Sequence, residues 1–432
     1  MAINSPEGIN DFLPDEALFW TQFQETARRV FGAYGYQFMT TPIMEVTELF
    51  VRGIGEATDV VSKEMFAAYS GANLKTLLEG GKVKSNSTFS LRPEGTAGVV
   101  RAVVEHALVP QGAAPAKLMY AGPMFRAERV QKGRLRQFHQ VGVECLGAEE
   151  PTVDAEAIIM LMRFYNEVGI PNEAMTLLIN SMGCEKCRPA YRDAVKAYMD
   201  QHADELCETC NTRAQINPLR AFDCKNEGCA HVMEGAPRIT DHLCPECQQH
   251  YADVKRFLDL AGIKYVEDSK LVRGLDYYTR TVFEVQANTG GSQNAIGGGG
   301  RYDKLAEEVG GRPTPGLGFA LGFERCKLVL EGLGVEMPTA QHCDLFVACV
   351  DASTRTQAFA LLQQCRDAGI CAEMDHQGRS LKSQFKLADK LGAAHVAILG
   401  PDEVAAGQAK LRNMDTHDEQ LVSLDGVVSA LS

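Results

Sequence analysis

Positive charge and long apolar runs are both scarce in this chain of 432 residues. Lysine and arginine total 43 against 56 aspartates and glutamates, and the formal net charge of −13 argues against non-specific coating of DNA. No apolar run approaches the ~18 residues that a membrane span needs. The N-terminal stretch MAINSPEGINDF lacks a basic region followed by an apolar one. These absences predict a cytoplasmic protein without a signal peptide or a membrane partner.

The chain does contain enough apolar material for several cores. Hydrophobic residues make up 45% of the sequence and charged residues 23%, as in an ordinary globular protein. The length predicts about two to four domains. FMTTPIMEV, which contains Pro42, is predicted to be an extended segment at a sheet edge or an interface. Alternation in STFSLRPEG, AKLMYAGPMFRAER and RQFHQVGVECLG predicts an antiparallel sheet. From residue 343 onward, strands and helices alternate as βαβαβ, which predicts a small parallel-sheet domain.

The most unusual charged segment is RAERVQKGRLRQFHQVGVE, residues 126–144, which is basic within an acidic chain. Its cations between residues 126 and 136 are Arg126, Arg129, Lys132, Arg134 and Arg136. Because side chains alternate along a strand, Arg126 and Glu128 are predicted to share one face of a hairpin. Phe138, Gln140 and Glu144 share one face of the returning strand. The loop between them is either a solvated basic turn or a surface that meets an anion.

Three other stretches are rich in polar groups or glycine. LVRGLDYYTRTVFE, residues 271–284, is predicted to form strands over KLVRGLDYY and TRTVFEVQA, and core strands rarely carry so many polar groups without a ligand. AIGGGGRYD, residues 295–303, brings backbone close to a flat ligand or forms a flexible turn. LRPEGT, residues 91–96, is interpreted as a buried Arg–Glu pair around a proline turn, which by itself is structural.

GLGFALGFER, residues 316–325, is interpreted as the start of a helix. Gly318 and Gly322 would lie on one face of that helix, so that it packs tightly on a sheet. Arg325 would emerge at the edge, where its planar guanidinium group can grip a phosphate.

Cysteine is abundant, with 14 residues. Six single ones are predicted to be small core residues, namely Cys145, Cys326, Cys343, Cys349, Cys365 and Cys371. The others form four pairs: Cys184/Cys187, Cys207/Cys210, Cys224/Cys229 and Cys244/Cys247. Most have the C-x₂-C spacing that grips a tetrahedral metal ion, and a reducing compartment favours metal over disulfides. The segment predicts a structural Zn²⁺ site, with free thiols in a helical insert as the alternative and the combination of pairs left open.

These motifs together resemble the class II aminoacyl-tRNA synthetases, and specifically the histidyl-tRNA synthetase family. Pro42, the segment from Phe125 to Glu144, and GLGFALGFER match the three general signatures, while LVRGLDYYTRTVFE and LRPEGT with RQFHQVGVE are similar to histidine-recognition segments. The resemblance covers essentially the whole chain and implies an α+β fold. It implies a homodimer with the Pro42 motif at its interface.

The domain organisation implied by the resemblance has four parts. A catalytic core, with an antiparallel sheet flanked by helices, would comprise residues 1–183 and 251–335. A cysteine-rich insertion would occupy residues 184–250, and an α/β anticodon-binding domain would occupy residues 343–432.

The resemblance also implies an ATP-dependent ligase. The carboxylate of L-histidine would attack the α-phosphate of ATP to give histidyl-adenylate and pyrophosphate, and histidine would then pass to the 3′ end of histidine tRNA. Arg126 would neutralise the α-phosphate, and Glu128 and Phe138 would hold the nucleotide. Arg325 would hold the γ-phosphate end and stack near the adenine. Arg273 would touch the α-phosphate and the substrate carboxylate, with Mg²⁺ bridging the remaining phosphates.

In this family, histidine is selected by groups that pair with its N–H bonds. The residues implied here are Glu94, Thr96, Gln140, Glu144, Arg273, Tyr277, Tyr278 and Tyr302. Glu94, Thr96 and Gln140 would bind the α-amino group, and Glu144 and Tyr278 would pair with the two imidazole nitrogens. Such a pocket rejects analogues of similar shape by ~10⁴ or more, because unpaired buried polar groups are costly.

The loop of the basic hairpin would contact the acceptor stem of histidine tRNA, including its extra 5′ guanosine. The implied contacts are Arg129, Gln131, Lys132, Arg134 and Arg136, with Val130 where the family has proline. One alternative is a non-catalytic paralogue, the histidine-sensing regulatory subunit of ATP phosphoribosyltransferase, but such proteins usually lack the anticodon domain and catalytic arginines. A ligase for another amino acid is disfavoured by LVRGLDYYTRTVFE.

Overall fold

The computed structural model describes residues 3–56, 58–84, 87–224, 226–272, 275–288, 294–340 and 342–431. The chain divides into two compact units. The larger unit comprises residues 1–11 and 20–336, and the smaller comprises residues 12–19 and 337–432. Within the described ranges, no helix combines the length and apolar character that a membrane crossing requires.

The larger unit is built on an eight-stranded sheet and a small three-stranded sheet. In chain order the strands are β1 (Gln37–Phe38), β2 (Met44–Val46), β3 (Ala67–Ala68), β4 (Phe89–Leu91), β5 (Ala116–Phe125), β6 (Gln137–Leu146), β7 (Met175–Ser181), β8 (Val266–Glu267), β9 (Thr279–Ala287), β10 (Ala295–Arg301) and β11 (Gly316–Gly322). The large sheet has the order β1-β5-β6-β11-β10-β9-β7-β8, and the small sheet has the order β2-β4-β3.

Antiparallel pairing runs from β5 to β7 across the large sheet, as the alternating segments predict. The short strands β1 and β8 add in parallel at the two edges, which the sequence pattern did not predict. The fold is therefore α+β, with the antiparallel sheet that the class II resemblance implies.

Helices flank this sheet and fill the segment between β7 and β8. They are α1 (Pro14–Gly32), α2 (Thr47–Ile54), α3 (Gly71–Leu78), α4 (Thr96–Glu105), α5 (Pro151–Glu167), α6 (Arg188–Gln201), α7 (Glu208–Ile216), α8 (Glu227–Glu234), α9 (Pro245–Leu260), α10 (Leu305–Glu308) and α11 (Phe323–Gly332). Shorter helical turns cover Val60–Glu64, Asn172–Ala174, Pro218–Asp223 and Ile239–His242. Pro14, Asp15 and Glu16 begin α1 because proline and acidic side chains suit the first turn of a helix.

The prediction of a helix across GLGFALGFER is wrong for its first part. Residues 316–322 form strand β11, and helix α11 begins only at Phe323. Leu317, Phe319 and Leu321 are buried, which is the period of two expected for a strand. This alternation outweighs the four-residue spacing of the glycines, and it places Arg325 in the first turn of the following helix.

The segment KLVRGLDYY is also not a strand over its described residues, since β9 begins at Thr279. Arg273 and Gly274 lie outside the described residues. The glycine run, in contrast, is strand β10, paired on both sides with β9 and β11 rather than forming a flexible turn. A Cβ at Gly299 would overlap the backbone of Gly318 and Phe319, so these strands need glycine for their close approach.

The segment between β7 and β8 folds as a group of helices, α6 to α9. Its buried side chains, including Tyr191, Val195 and Met199, belong to the same apolar cluster as Tyr278, just before β9, and Tyr302, just after β10. The insertion therefore packs continuously against the region that carries the predicted histidine-binding residues.

The smaller unit contains a five-stranded sheet. Its elements are β12 (Cys343–Cys349), α12 (Arg355–Asp367), β13 (Ala372–Met374), α13 (Leu381–Lys390), β14 (Ala393–Leu399), α14 (Pro401–Ala405), β15 (Gln408–Asn413), β16 (Glu419–Ser423) and α15 (Val427–Leu431), with short turns at Ala352–Thr354 and Leu424–Gly426. Strands β13, β12 and β14 are parallel, which confirms the βαβαβ prediction, and β15 and β16 extend the sheet antiparallel.

The single cysteines are buried as predicted, with one exception. Cys371 is exposed, so its assignment to a core was wrong. It lies just before the short strand β13, where its backbone N–H donates to Asp344 and its thiol donates to the carbonyl of His342.

Candidate active site

A cavity of about 210 Å³ opens on the sheet face formed by β6, β10 and β11. The side chains that line it include Arg126, Glu128, Arg134, Phe138, Gln140, Glu284, Glu324 and Arg325. Backbone from Gly297 and Gly298 forms part of the wall. The cavity therefore combines three guanidinium groups with a wall of bare backbone, a combination suited to a flat, anionic ligand.

Arg126 is held at the end of strand β5. Its Nε donates to the carbonyl of Pro93 at 2.9 Å, and its guanidinium carbon lies 5.2 Å from the ring centroid of Phe138. An arginine against an aromatic ring gains cation–π stabilisation while its remaining N–H groups stay oriented. Its Nη1 is 3.9 Å from Glu128 Oε1, so Arg126 and Glu128 share the cavity as the hairpin prediction required.

Arg325 reaches the same cavity from helix α11. Its Nε donates to the carbonyl of Gly133 at 3.1 Å, and its Nη1 donates to the carbonyl of Ala295 at 2.7 Å. Burial lowers the pKa of Arg325, and the nearby guanidinium groups of Arg134 and Arg126 lower it further. Arginine still remains protonated, so the cavity concentrates positive charge and favours an anion.

Arg134 was predicted to contact tRNA from the outside of the loop, but its side chain lines this cavity. It forms an ion pair with Glu128 and lies 3.8 Å from Glu64. The loop reverses in a tight turn, in which Gln131 and Arg134 exchange backbone hydrogen bonds and Gly133 has φ of 73°. That positive φ is easily adopted by glycine.

The other predicted tRNA contacts lie on the outside of the loop. Arg129, Gln131 and Lys132 are exposed. Arg136 is half-buried, and it donates to the carbonyl of Glu7 at 3.3 Å and to that of Glu128 at 3.4 Å. The loop thus presents exposed cations at its tip, while Arg136 also supports the backbone beneath it.

Glu144 is fully buried beneath the sheet face. The hydroxyl of Thr96 donates to Oε1 at 2.7 Å, and the hydroxyl of Tyr302 donates to Oε2. Burial raises the pKa of Glu144 to about 8, although both hydroxyls lower it. The free protein therefore holds this carboxyl group largely protonated near neutral pH.

Glu94 closes the start of helix α4 beside this group. Its carboxylate accepts hydrogen bonds from the backbone N–H groups of Thr96 at 2.7 Å and Ala97 at 3.0 Å. Burial raises the pKa of Glu94. The prediction that Arg92 pairs with Glu94 in LRPEGT is wrong. Arg92 donates instead to the carbonyls of Thr41 and Pro123.

Tyrosines surround Glu144, and glycines make room for them. The Tyr277 ring lies 4.7 Å from that of Tyr278 and 5.7 Å from that of Tyr302, measured between centroids. A Cβ at Gly316 would overlap the Tyr302 ring, and a Cβ at Gly318 would overlap the carboxylate of Glu144. Gly316 and Gly318 of β11 are thus required by the side chains packed across them.

Gln140 lies between the arginines and Glu144. Strand β6 pairs with β11 without a register shift, so Gln140 and Glu144 share one face, as predicted. The carboxamide oxygen of Gln140 is buried, and no described residue donates a hydrogen bond to it. A buried acceptor without a partner is costly, which makes this atom suited to a ligand that carries an N–H donor.

Residues at the site that were missed from the sequence include Glu284, which lines the cavity, and also Tyr120 and Glu324. Tyr120 on β5 packs against positions 95 and 142, where a Cβ on either glycine would overlap its ring. The two carboxylate oxygens of Glu324 accept from the backbone N–H of His139, at 2.9 and 3.0 Å, and Oε1 also lies 2.9 Å from the ring Nδ1 of His139, so Glu324 fixes α11 to β6. Glu324 could have been predicted, because it directly precedes Arg325 in GLGFALGFER. Nothing in the sequence distinguishes Tyr120 from any other tyrosine in a strand.

The pKa of Glu144 leads to a pH-dependent effect on stability. Its unfolded pKa is about 4.3, so between that pH and about 8 only the folded state keeps the proton. Stability from this group is full at low pH and is lost as pH rises through about 8. The melting temperature of wild type would be compared with that of Glu144→Gln at each pH. From pH 5 to pH 8.5 we expect the wild-type value to fall relative to the variant by on the order of 5 °C.

The matched control for this pH series is Glu149→Gln, at an exposed carboxylate three residues beyond the end of β6. Its melting temperature should follow the wild type at every pH. Parallel curves for wild type and Glu144→Gln would contradict the proposed burial of a protonated carboxyl group.

The paired cysteines lie outside this cavity, in the helical insertion. They form two groups, the first of Cys184, Cys187, Cys244 and Cys247, and the second of Cys207, Cys210, Cys224 and Cys229. In each group the sulfur atoms all lie within 4.8 Å of one another. The pair at the start of the insertion, Cys184/Cys187, therefore groups with the pair at its end, Cys244/Cys247, and the two inner pairs group with each other.

Comparison with known proteins identifies the family of the chain. The family model described as Histidyl-tRNA synthetase matches residues 8–326, and the model described as Anticodon binding domain matches residues 344–432. A protein named Histidine--tRNA ligase from Halothermothrix orenii is 44% identical over 431 residues, covering 100% of this chain and 99% of that protein. Another with that name, from Desulforamulus reducens, is 47% identical over 430 residues, covering 99% and 98%.

Among solved structures, the apo histidyl-tRNA synthetase of S. aureus aligns with a TM-score of 0.81 and 35% sequence identity, covering 100% of both chains. Sheet, cavity and matched domains together define a class II aminoacyl-tRNA synthetase with an anticodon-binding domain. More narrowly, the chain belongs to the histidyl-tRNA synthetase family, so it is an enzyme of the ligase class. The full-length relatives do not favour the alternative of a regulatory subunit.

Proposed function

We propose that this cavity activates L-histidine with ATP and that the resulting histidyl-adenylate is transferred to histidine tRNA in the cytoplasm. The observation that carries the proposal is the convergence of Arg126 and Arg325 on one cavity, beside the Gln140 oxygen, which accepts no hydrogen bond from any described residue. Family membership supplies the reaction, and the contacts of these side chains support their individual roles.

In the activation step, the carboxylate of histidine attacks the α-phosphorus of ATP and pyrophosphate leaves. Negative charge builds on the phosphate oxygens, so guanidinium groups that are already oriented lower the barrier without reorganising. Arg126 is assigned to the α-phosphate and Arg325 to the γ-phosphate, with Phe138 and Glu128 holding the nucleotide. Arg273 keeps its predicted role at the α-phosphate and the substrate carboxylate.

Mg²⁺ would enter with ATP and neutralise phosphate charge. Carboxylate oxygens are the ligands that it prefers, and Glu284 lines the cavity with such a group. Glu284 is therefore the residue assigned to hold it. The cysteine groups are not among the residues that line this cavity, so the Zn²⁺ predicted for them would serve a structural role.

Selection of histidine is assigned to the buried polar groups next to the nucleotide. The α-amino group would be bound by Gln140, Thr96 and Glu94. The buried carboxamide oxygen of Gln140 supports this assignment, because no described residue donates a hydrogen bond to it. Glu144 and Tyr278 would pair with the imidazole, with Tyr277 and Tyr302 forming the surrounding wall. A carboxyl group that titrates near neutral pH suits imidazole, because the two can share a proton.

The exposed loop tip is assigned to the acceptor stem. Changing Arg129 and Lys132 together to alanine is expected to lower kcat/KM for tRNA charging about tenfold or more at low salt, because each cation neutralises a phosphate. Histidine-dependent ATP–pyrophosphate exchange should stay within about twofold of wild type, since both side chains are exposed. Both rates would be measured on the same preparation. Arg136→Ala is expected to act in the same direction.

The matched control is Arg29→Ala with Arg163→Ala, which removes the same charge from exposed positions on α1 and α5. It should leave tRNA charging close to wild type. Equal losses in exchange and charging for the loop variant would contradict the assignment of the loop to tRNA.

The homodimer is supported by apolar side chains around Pro42. Ile43 precedes strand β2 of the small sheet and is 46% exposed, and Met44 and Val46 within β2 are 48% and 37% exposed. An exposed apolar cluster of this kind is typical of a protein interface. Light scattering should give twice the chain mass of 47.1 kDa, and a particle of 47.1 kDa at micromolar concentration would contradict a stable dimer.

The reaction itself is tested by ATP–pyrophosphate exchange with each amino acid in turn. Only histidine is expected to drive exchange. Exchange with another amino acid and not with histidine would indicate a different ligase on the same fold. Binding of histidine without any exchange would indicate the regulatory function.

A further inference from the structure

The cysteines of the insertion lie in a repeated local setting. Each pair stands at the start of a helix, so that the four pairs introduce α6, α7, α8 and α9. The positive end of a helix stabilises a thiolate, which is the form of cysteine that binds metal. All of these cysteines are free of disulfides.

The sulfur spacing fits a single tetrahedral ion in each group. A Zn–S bond of about 2.3 Å gives a separation of roughly 3.8 Å between sulfur atoms at the corners of a tetrahedron. Cys184 Sγ lies 3.6 Å from Cys187 Sγ and 3.8 Å from Cys244 Sγ. In the other group, Cys207 Sγ lies 3.9 Å from Cys224 Sγ. These edges are too short for thiolates spread around a cubane iron–sulfur cluster.

Backbone hydrogen bonds join the two halves of each group. The N–H of Cys244 donates to Cys187 Sγ at 3.2 Å, and the N–H of Cys207 donates to Cys229 Sγ at 3.1 Å. An N–H donor directed at sulfur stabilises a thiolate that carries negative charge. Each group is thus a set of four converging sulfurs with supporting donors, which free thiols do not require.

We propose that the insertion binds two separate Zn²⁺ ions through four thiolates each. The root site comprises Cys184, Cys187, Cys244 and Cys247, and the tip site comprises Cys207, Cys210, Cys224 and Cys229. Four thiolates and tetrahedral geometry select Zn²⁺ among common ions, and binding releases the thiol protons to solvent.

The root site joins the two ends of the insertion. Cys184 follows β7, and Cys244 immediately precedes α9, which returns the chain to the sheet. Next to Cys184, the backbone of Met182 and Gly183 exchanges hydrogen bonds with Arg280 on β9, at 2.6 and 2.9 Å. A metal here would close the base of the insertion directly beside the segment that carries Tyr278.

Helix α9 extends this connection into the sheet. His250 lies 3.2 Å from the buried carboxylate of Asp154, which forms an ion pair with the buried Arg301 next to Tyr302. The tip site instead joins α7 and α8 within the insertion. The root ion therefore anchors the insertion to the sheet, and the tip ion organises the insertion itself.

Metal analysis of protein purified under reducing conditions tests the proposal. Wild type is expected to contain two equivalents of zinc per chain, and the control Cys371→Ser, at the exposed single cysteine, should contain the same amount. One equivalent or less in zinc-supplemented wild type, or iron in place of zinc, would overturn the proposal of two zinc sites.

Double variants test how the pairs combine. Cys184→Ser with Cys244→Ser removes two ligands from one site and should leave one equivalent of zinc. Cys184→Ser with Cys207→Ser removes one ligand from each site and should leave substantially less than one. The opposite pattern would show that the root and tip groups are partitioned wrongly.

X-ray absorption on the wild-type protein avoids any dependence on whether variants fold. The expected zinc environment is four sulfur neighbours at about 2.3 Å. Nitrogen or oxygen ligands in the zinc shell, or a neighbouring metal atom, would overturn two separate tetrathiolate sites. These measurements report metal binding directly and are independent of the proposed aminoacylation activity.

Discussion

Replacing Glu144 by glutamine is expected to lower kcat/KM for histidine in ATP–pyrophosphate exchange by about 10²-fold or more. Glutamine has nearly the same shape, so the packing of Tyr302 and Thr96 around it should persist. It cannot become an anion, however, and it cannot share a proton with imidazole. The loss of a charged partner in a fully buried site typically costs ~2–5 kcal/mol.

The effect should fall mainly on histidine. The KM for ATP is expected to change little, because Glu144 is not among the residues that line the nucleotide cavity. Glu149→Gln, at an exposed carboxylate on the same segment, is the control and should behave as wild type. Circular dichroism would verify that both variants fold. A loss below about threefold for Glu144→Gln would refute a direct contact with the imidazole.

Replacing Arg126 by alanine is expected to lower kcat for histidine-dependent exchange by about 10³-fold or more. Its guanidinium group is fixed by the carbonyl of Pro93 and lies against Phe138, so it would need no reorganisation to meet a phosphate at the position proposed above. The interaction should strengthen as charge develops on the α-phosphate. The loss is therefore expected in kcat rather than in the KM for ATP alone.

Arg126→Lys separates charge from geometry. Lysine keeps the positive charge but lacks the planar fork, so an intermediate loss of roughly 10- to 100-fold is expected. Arg163→Ala, at an exposed arginine on α5, serves as the control with unchanged exchange. If Arg126→Ala raises only the KM for ATP and leaves kcat intact, the residue binds the nucleotide without stabilising the transition state.

Local periodicity was sufficient for much of the fold. Alternation along a strand depends only on neighbouring residues, so the antiparallel sheet, the βαβαβ unit and the common face of Gln140 and Glu144 could be predicted. Residues 316–322 also alternate as a strand does, but Gly318 and Gly322 are four residues apart, which fits a helix as well. The alternating Leu317, Phe319 and Leu321 face the core, and that burial selects the strand.

Features that depend on distant segments could not be predicted in this way. The inward orientation of Arg134 follows from its pairing with Glu64 and Glu128, of which Glu64 is far away in sequence. The role of Tyr120 depends on glycines at positions 95 and 142, which belong to other elements. The grouping of cysteine pairs likewise depends on how α6 to α9 fold together, since spacing alone is the same for nearly every pair.

The close contact between strand β11 and Glu144 has a consequence for mutational tolerance. Gly318 does not have the positive φ that favours glycine, so its backbone torsions would accept any residue. Alanine is nevertheless excluded, because its methyl group would occupy the volume of the Glu144 carboxylate. Any natural or engineered variant that fills position 318 must therefore displace the Glu144 carboxyl group, and under the proposed assignment it would change which amino acid the pocket can hold.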